Sequence, residues 1–148
     1  MGILNGMDHN HHASGHIVVS GKGIKLKKQM SKSKQKGTMA ETAVVQYLKQ
    51  FWPNVERRAL QGSKDTGDIA GIPNVVIEIK NHKNYKIPEW IKETEQEREN
   101  AGVPYGILIV KPNRVGTTKV GEWWAILPAE QIASMIRELE RLRSQQIG

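Results

Sequence analysis

Val75-Val76-Ile77-Glu78-Ile79-Lys80 is an apolar, β-branched run broken by charge at two alternate positions. Branched side chains of this kind favour a strand, in which successive residues point to opposite faces. Val76, Glu78 and Lys80 therefore share one face, and Val75, Ile77 and Ile79 the other. A carboxylate inside such a run is out of place, because burying it without a partner costs several kcal/mol. Taken alone, Glu78 and Lys80 read as a same-face ion pair at a sheet edge.

The residues just upstream change that reading. Gly71-Ile72-Pro73-Asn74 is a hairpin turn by composition, which would set Asp68-Ile69-Ala70 on the neighbouring strand. Asp68 and Glu78 would then converge, although Asp68 after Gly67 also reads as a turn cap. Two adjacent carboxylates repel each other, and a divalent cation resolves the repulsion. Mg²⁺ suits such a site: one or two carboxylates, several retained waters, and phosphate oxygens completing the octahedron. An ion there polarises a phosphoryl oxygen and acidifies water, while Lys80 orients that water or offsets developing charge.

Glu41 has two readings. Thr38-Met39-Ala40-Glu41 fits a helix capping box, in which the glutamate reaches back to the cap's backbone N–H. Equally, Glu41 lies one turn before Val44 and Val45, on the core side of the first helix, from which it could reach a site on the sheet.

Further out, the pattern alternates regularly between helix and strand. A helix from Thr38 carries Val44, Tyr47, Leu48 and Phe51 and ends at Pro53; Val55 to Leu60 reads as a strand before a Gly/Ser/Asp loop. A Glu-rich helix opens near Pro88 and stops before Gly102, and its acids are expected to face away from any polyanion. Tyr105 to Val110 and Glu122 to Leu127 read as strands. Pro128 to about Gln145 is a final helix with Ile132, Ile136, Leu139 and Leu142 on one face. The order is α-β-β-β-α-β-β-α, an α/β or α+β fold in which a mixed β-sheet is flanked by helices.

Bulk properties bound the rest. The 148 residues suit one compact domain, expected over residues 37–148 behind a flexible basic N-terminal arm at 1–36. The net charge is +7, yet seven lysines against one acid precede Thr38, so the remainder carries only +1. That lysine run reads equally as a solvated tail or as a phosphate-binding arm. The first 30 residues, with His9-Asn10-His11-His12, look tag-like or like an upstream extension. No cysteine is present, so any metal is held by oxygen or imidazole. No apolar run approaches the roughly 20 residues of a membrane span, and no secretory pattern opens the chain, so a cytoplasmic protein is expected.

Glu41, Gly67-Asp68 and Glu78-Ile79-Lys80, in this order, resemble the PD-(D/E)xK nuclease superfamily, the restriction-endonuclease-like fold. More closely, the blocks Ser31 to Thr38, Glu56 to Leu60, Gly67 to Gly71 and Glu78 to His82 resemble small Holliday-junction-resolvase-like proteins of actinobacterial phages. The similarity covers about Ser31 to Pro128. It implies a homodimeric, Mg²⁺-dependent DNA endonuclease, with Mn²⁺ able to substitute, working in a bacterial host's cytoplasm. Asp68, Glu78 and the Ile79 carbonyl would be metal ligands, Lys80 the catalytic lysine and Glu41 an outer metal-site acid. Gly67 stands where the proline that names the motif is expected.

Around that site, Arg57, Arg58, Ser63 and Lys64 on one side, Asn81, His82 and Lys83 on the other, and Lys111 at a strand end are candidates for contacts to a DNA backbone. Alternation gives Arg57 and Arg58 opposite faces, so one of the two at most should point at the site. Trp90, Trp123 and Trp124 read as core or dimer-interface residues. Substrate geometry is not encoded in these motifs. Branched DNA is the leading reading, flaps, ends or plain duplex the next, and a catalytically idle DNA-binding module the reading from another class.

Overall fold

The computed structural model describes residues 30–59 and 64–147. The arm up to Gln29, the His9 to His12 cluster and Ser63 lie outside the described residues. The remainder is mixed α/β: α1 (Lys32–Leu48), β1 (Glu56–Arg57), β2 (Ile69–Ala70), β3 (Val75–Lys80), α2 (Ile87–Ala101), β4 (Tyr105–Val110), a 3₁₀ turn (Val120–Glu122), β5 (Trp124–Ile126) and α3 (Ala129–Gln146).

The first helix starts at Lys32, ahead of the Thr38 expected for it, and so takes up part of the supposed arm. The cause is Ser31, whose hydroxyl accepts the Lys34 N–H at 3.3 Å and caps the helix. Thr38 is therefore interior, its carbonyl accepting from the Thr42 hydroxyl at 2.8 Å, and the capping-box reading of Glu41 falls.

β3 and β4 are parallel and joined through α2, with Glu78 opposite Leu108; β5 then pairs antiparallel with β4. A parallel pair needs a long crossover, which the Ile87–Ala101 helix supplies before Gly102 ends it at a left-handed φ of 65°. Of the strand expected over Val55 to Leu60, Glu56 and Arg57 are strand among the described residues, and Leu60 lies outside them. The expected β2–β3 hairpin is also corrected, because β2 pairs with β1 (Arg57 opposite Ile69) in a separate two-stranded sheet. Among the described residues, one backbone bond, Asp68 N–H to the Ile77 carbonyl at 2.9 Å, ties this segment to β3.

The alternation of β3 holds in three dimensions. Ile77 and Ile79 pack with Val44, Val45 and Leu48 of α1, and with Trp123. On the other side of the sheet Trp90 of α2 packs with Leu108 and Val110 of β4. A largely apolar hollow of about 530 Å³, lined among others by Tyr47, Trp52, Ile77, Ile109 and Met135, sits on the α1 side.

α3 departs most from expectation. Its one buried residue is Gln131, whereas Ile132, Ile136, Leu139 and Leu142 are 40–53% exposed. Gln131 fastens it, accepting the Gly106 N–H at 2.8 Å and donating to Glu95 Oε1 at 2.7 Å. Among the described residues, no helix is long and apolar enough to cross a membrane.

Candidate active site

Glu78 is 8% exposed at the centre of β3, on the face toward α2. Lys80 Nζ stands 2.8 Å from Glu78 Oε1 and 2.7 Å from Glu93 Oε2 of α2. Burial pulls the Lys80 pKa down, but the hydrogen bonds and charges of Glu78 and Glu93 outweigh it and raise the value overall, so Lys80 is a fixed cation.

Asp68 is brought to β3 by the segment that precedes β2. Its backbone N–H bonds Ile77, and its Oδ2 accepts the Ile79 N–H at 2.8 Å, which aims the carboxyl along the strand. Gly67 makes that approach possible. At φ 87° it lies so near β3 that an added Cβ would stand 2.8 Å from Val76 Cγ1 and 2.9 Å from the Ile77 carbonyl. A proline, locked near φ −65°, cannot adopt this geometry, which accounts for its absence from the motif here. Asp65 completes the turn by accepting the Gly67 N–H at 3.1 Å, and its own carbonyl takes the Asn100 amide of α2 at 2.9 Å.

The sequence placed two acids here, and the structure adds a third. Glu97 of α2 is 6% exposed, one turn beyond Glu93, and its charge and that of Glu78 act on each other. Its Oε2 is buried without a hydrogen-bond partner, an arrangement that costs about 1–3 kcal/mol or more. Desolvation, together with the neighbouring carboxylates, pushes Asp68 up to about 8 and both Glu78 and Glu97 up to about 7. The Glu-rich helix, expected to face away from DNA, turns Glu93 and Glu97 toward β3. A signal existed: Trp90, Thr94 and Glu97 follow at i, i+4 and i+7, one buried stripe, and a glutamate on such a stripe is as anomalous as Glu78 in its strand.

Glu41 stands at the rim. Arg57 Nε donates to its Oε2 at 2.8 Å, while its charge still reaches Asp68 and helps to raise that pKa. Arg57, Arg58, Lys34 and Lys64 border the same open groove, of about 1080 Å³, into which Asp68 faces. Both arginines border it, Arg57 turned to Glu41. Arg58 Nη2 also donates to the Ile69 carbonyl at 3.3 Å.

The other candidates are dispersed. Asn81 spends its amide on the Lys36 carbonyl of α1 at 3.2 Å, and His82 stacks on Trp90 with ring centroids 5.3 Å apart. The Lys83 carbonyl accepts from Asn113 at 2.9 Å, and the Lys111 N–H bonds the Lys80 carbonyl at 2.9 Å. Trp90 and Trp123 are buried, as a core role requires, whereas Trp124 is 46% exposed.

Among the described residues, no three Asp, Glu, His or Cys side chains form a ready-made metal cage. A site of two carboxylates plus waters needs no such cage. Comparison with family models, with curated proteins and with solved structures finds no match for this chain.

Proposed function

We propose that this chain is a Mg²⁺-dependent endonuclease that hydrolyses DNA phosphodiesters, acts on branched DNA such as four-way junctions, and works as a homodimer. The observation that carries the reading is the packing of Asp68 against Glu78 beside Lys80, at the edge of a groove bordered by Lys34, Arg58 and Lys64. Carboxyls driven to about 7 and 8 by burial and mutual repulsion are a costly arrangement for structure alone.

The donor set fits a hard divalent cation. It is all oxygen, it crowds negative charge that a cation neutralises, and it leaves Glu97 Oε2 without a hydrogen bond. Asp68 and Glu78 would hold the ion, with the Ile79 carbonyl added by the family resemblance. The ion would supply Lewis acidity and a lowered water pKa at the phosphate.

The chain's own groups do the remainder. The Ile79 N–H orients Asp68, and Lys80, clamped between Glu78 and Glu93, keeps its charge at neutral pH. Lys80 is accordingly an electrostatic stabiliser of the phosphoryl group and not a proton acceptor. Lys34, Arg58 and Lys64 position the DNA backbone without reading its sequence. Two copies related by two-fold symmetry would present two such sites to the two strands of a symmetric junction. The exposed apolar stripe of α3 offers surface to such pairing.

The test incubates the protein with labelled four-way junction, flap and linear duplex in Mg²⁺ or Mn²⁺. Divalent-dependent cutting, strongest on the junction, is expected, with Asp68→Asn and Glu78→Gln each reducing it by on the order of 10²–10³-fold. Undiminished cutting by either variant rules the site out. The idle-module reading draws on the Lys80–Glu78 pairing; salt-sensitive DNA binding without divalent-dependent cleavage would favour it.

A further inference from the structure

Glu97 is not required by the fold around it. Its helical stripe is otherwise served by Trp90 and by Thr94, whose hydroxyl is spent on the Trp90 carbonyl at 2.8 Å. A glutamine at 97 would fill the same space and hydrogen-bond Glu78 with no charge to bury. The residue is nevertheless only 6% exposed, one of its carboxyl oxygens has no hydrogen bond, and its charge is felt by Asp65, Asp68, Glu78 and Lys80. An oxygen left free where three other acids converge has the properties of a cation ligand. Glu41, the outer acid implied by the family resemblance, is instead committed to Arg57.

We propose that Glu97 is a ligand of the divalent cation held by Asp68 and Glu78, approaching from the α2 side and taking the place assigned to Glu41. The site then draws one carboxylate from each of three independent segments: the loop before β2, the centre of β3 and the third turn of α2. Binding asks the side chains of Glu78 and Glu97 to turn about the ion, Glu97 presenting the Oε2 that has no hydrogen bond. Lys80, held by Glu93 as well as Glu78, keeps its place when Glu78 turns to the ion. The inference rests on the metal-site part of the proposed function but not on DNA cleavage.

The experiment is calorimetric titration of the full chain with Mn²⁺, with thermal unfolding recorded in the presence and absence of the ion. The wild type is expected to bind and to be stabilised by binding. Glu97→Gln should weaken Mn²⁺ affinity about 10–100-fold while leaving the metal-free melting temperature equal or higher. Glu41→Gln should change affinity less than Glu97→Gln does. Wild-type affinity in Glu97→Gln, with Asp68→Asn abolishing binding, overturns the role of Glu97 and leaves the nuclease reading standing. Lower metal-free stability with unchanged affinity assigns Glu97 a structural role and likewise overturns it. If the wild type binds no Mn²⁺ at all, the metal site itself falls, and the nuclease reading falls with it.

Discussion

The two faces of β3 are six residues of one strand put to opposite uses. Toward α1, Ile77 and Ile79 meet a wall of aliphatic and aromatic side chains, and every contact there lowers the free energy of the fold. Toward α2, Glu78 and Lys80 meet Glu93 and Glu97, and desolvation works against the charges of Glu78, Lys80 and Glu97. One face adds to the stability of the fold, and the other subtracts from it. Because both faces belong to one strand, the packing of Ile77 and Ile79 fixes the backbone from which Glu78 and Lys80 project.

Truncating the apolar face should have the largest effect on folding. Ile77→Ala, at 5% exposure, should cost about 2–5 kcal/mol of stability, whereas Glu78→Gln should leave the metal-free unfolding midpoint equal or raise it. Urea unfolding of both variants measures the contrast, and equal losses would erase the distinction between the faces.

A change of pH should sharpen it. Asp68, Glu78 and Glu97 have folded-state values of about 8, 7 and 7, above the roughly 4 of an unfolded carboxyl. The folded chain therefore holds more protons than the unfolded one between those limits, and stability falls as pH rises through that range. Without divalent ions, the melting temperature should drop by several degrees between pH 5 and pH 8, and Asp68→Asn should flatten the profile. A melting temperature that rises with pH would contradict the burial of these acids.

The smallest effect concerns the groove. Lys64→Ala should weaken DNA binding modestly and alike for all sequences, lowering the salt-dependence slope by about 1. A loss confined to one sequence or shape would mean that the groove reads more than phosphate.

Legibility in the sequence followed the strength of each local signal. The two faces of β3 were readable because alternation is set by backbone geometry alone, and α2 because Pro88 and Gly102 punctuate it. The start of α1 was not, since Lys32 to Gly37 lacks apolar periodicity and the helix there depends on one serine cap. The seating of Asp68 was misread as a hairpin because the β1–β2 pairing that competes with it is non-local. Glu97 was missed because glutamates were weighed as a composition and not against the buried stripe that Trp90 begins. The stripe of α3 was read correctly as a pattern, but periodicity does not say what covers it.

That last helix has a consequence for how the molecule comes apart. Gln131 and a 3.2 Å bond from the Tyr105 hydroxyl to Glu138 secure its first half, and no bond between Glu140 and Gln146 reaches beyond the helix among those described. No α3 residue belongs to either core cluster, so the helix beyond Glu138 should open locally before the sheet does. It can detach at its C-terminal end while the acids around Glu78 stay in register, so among the described elements local opening should begin there and reach β3 late.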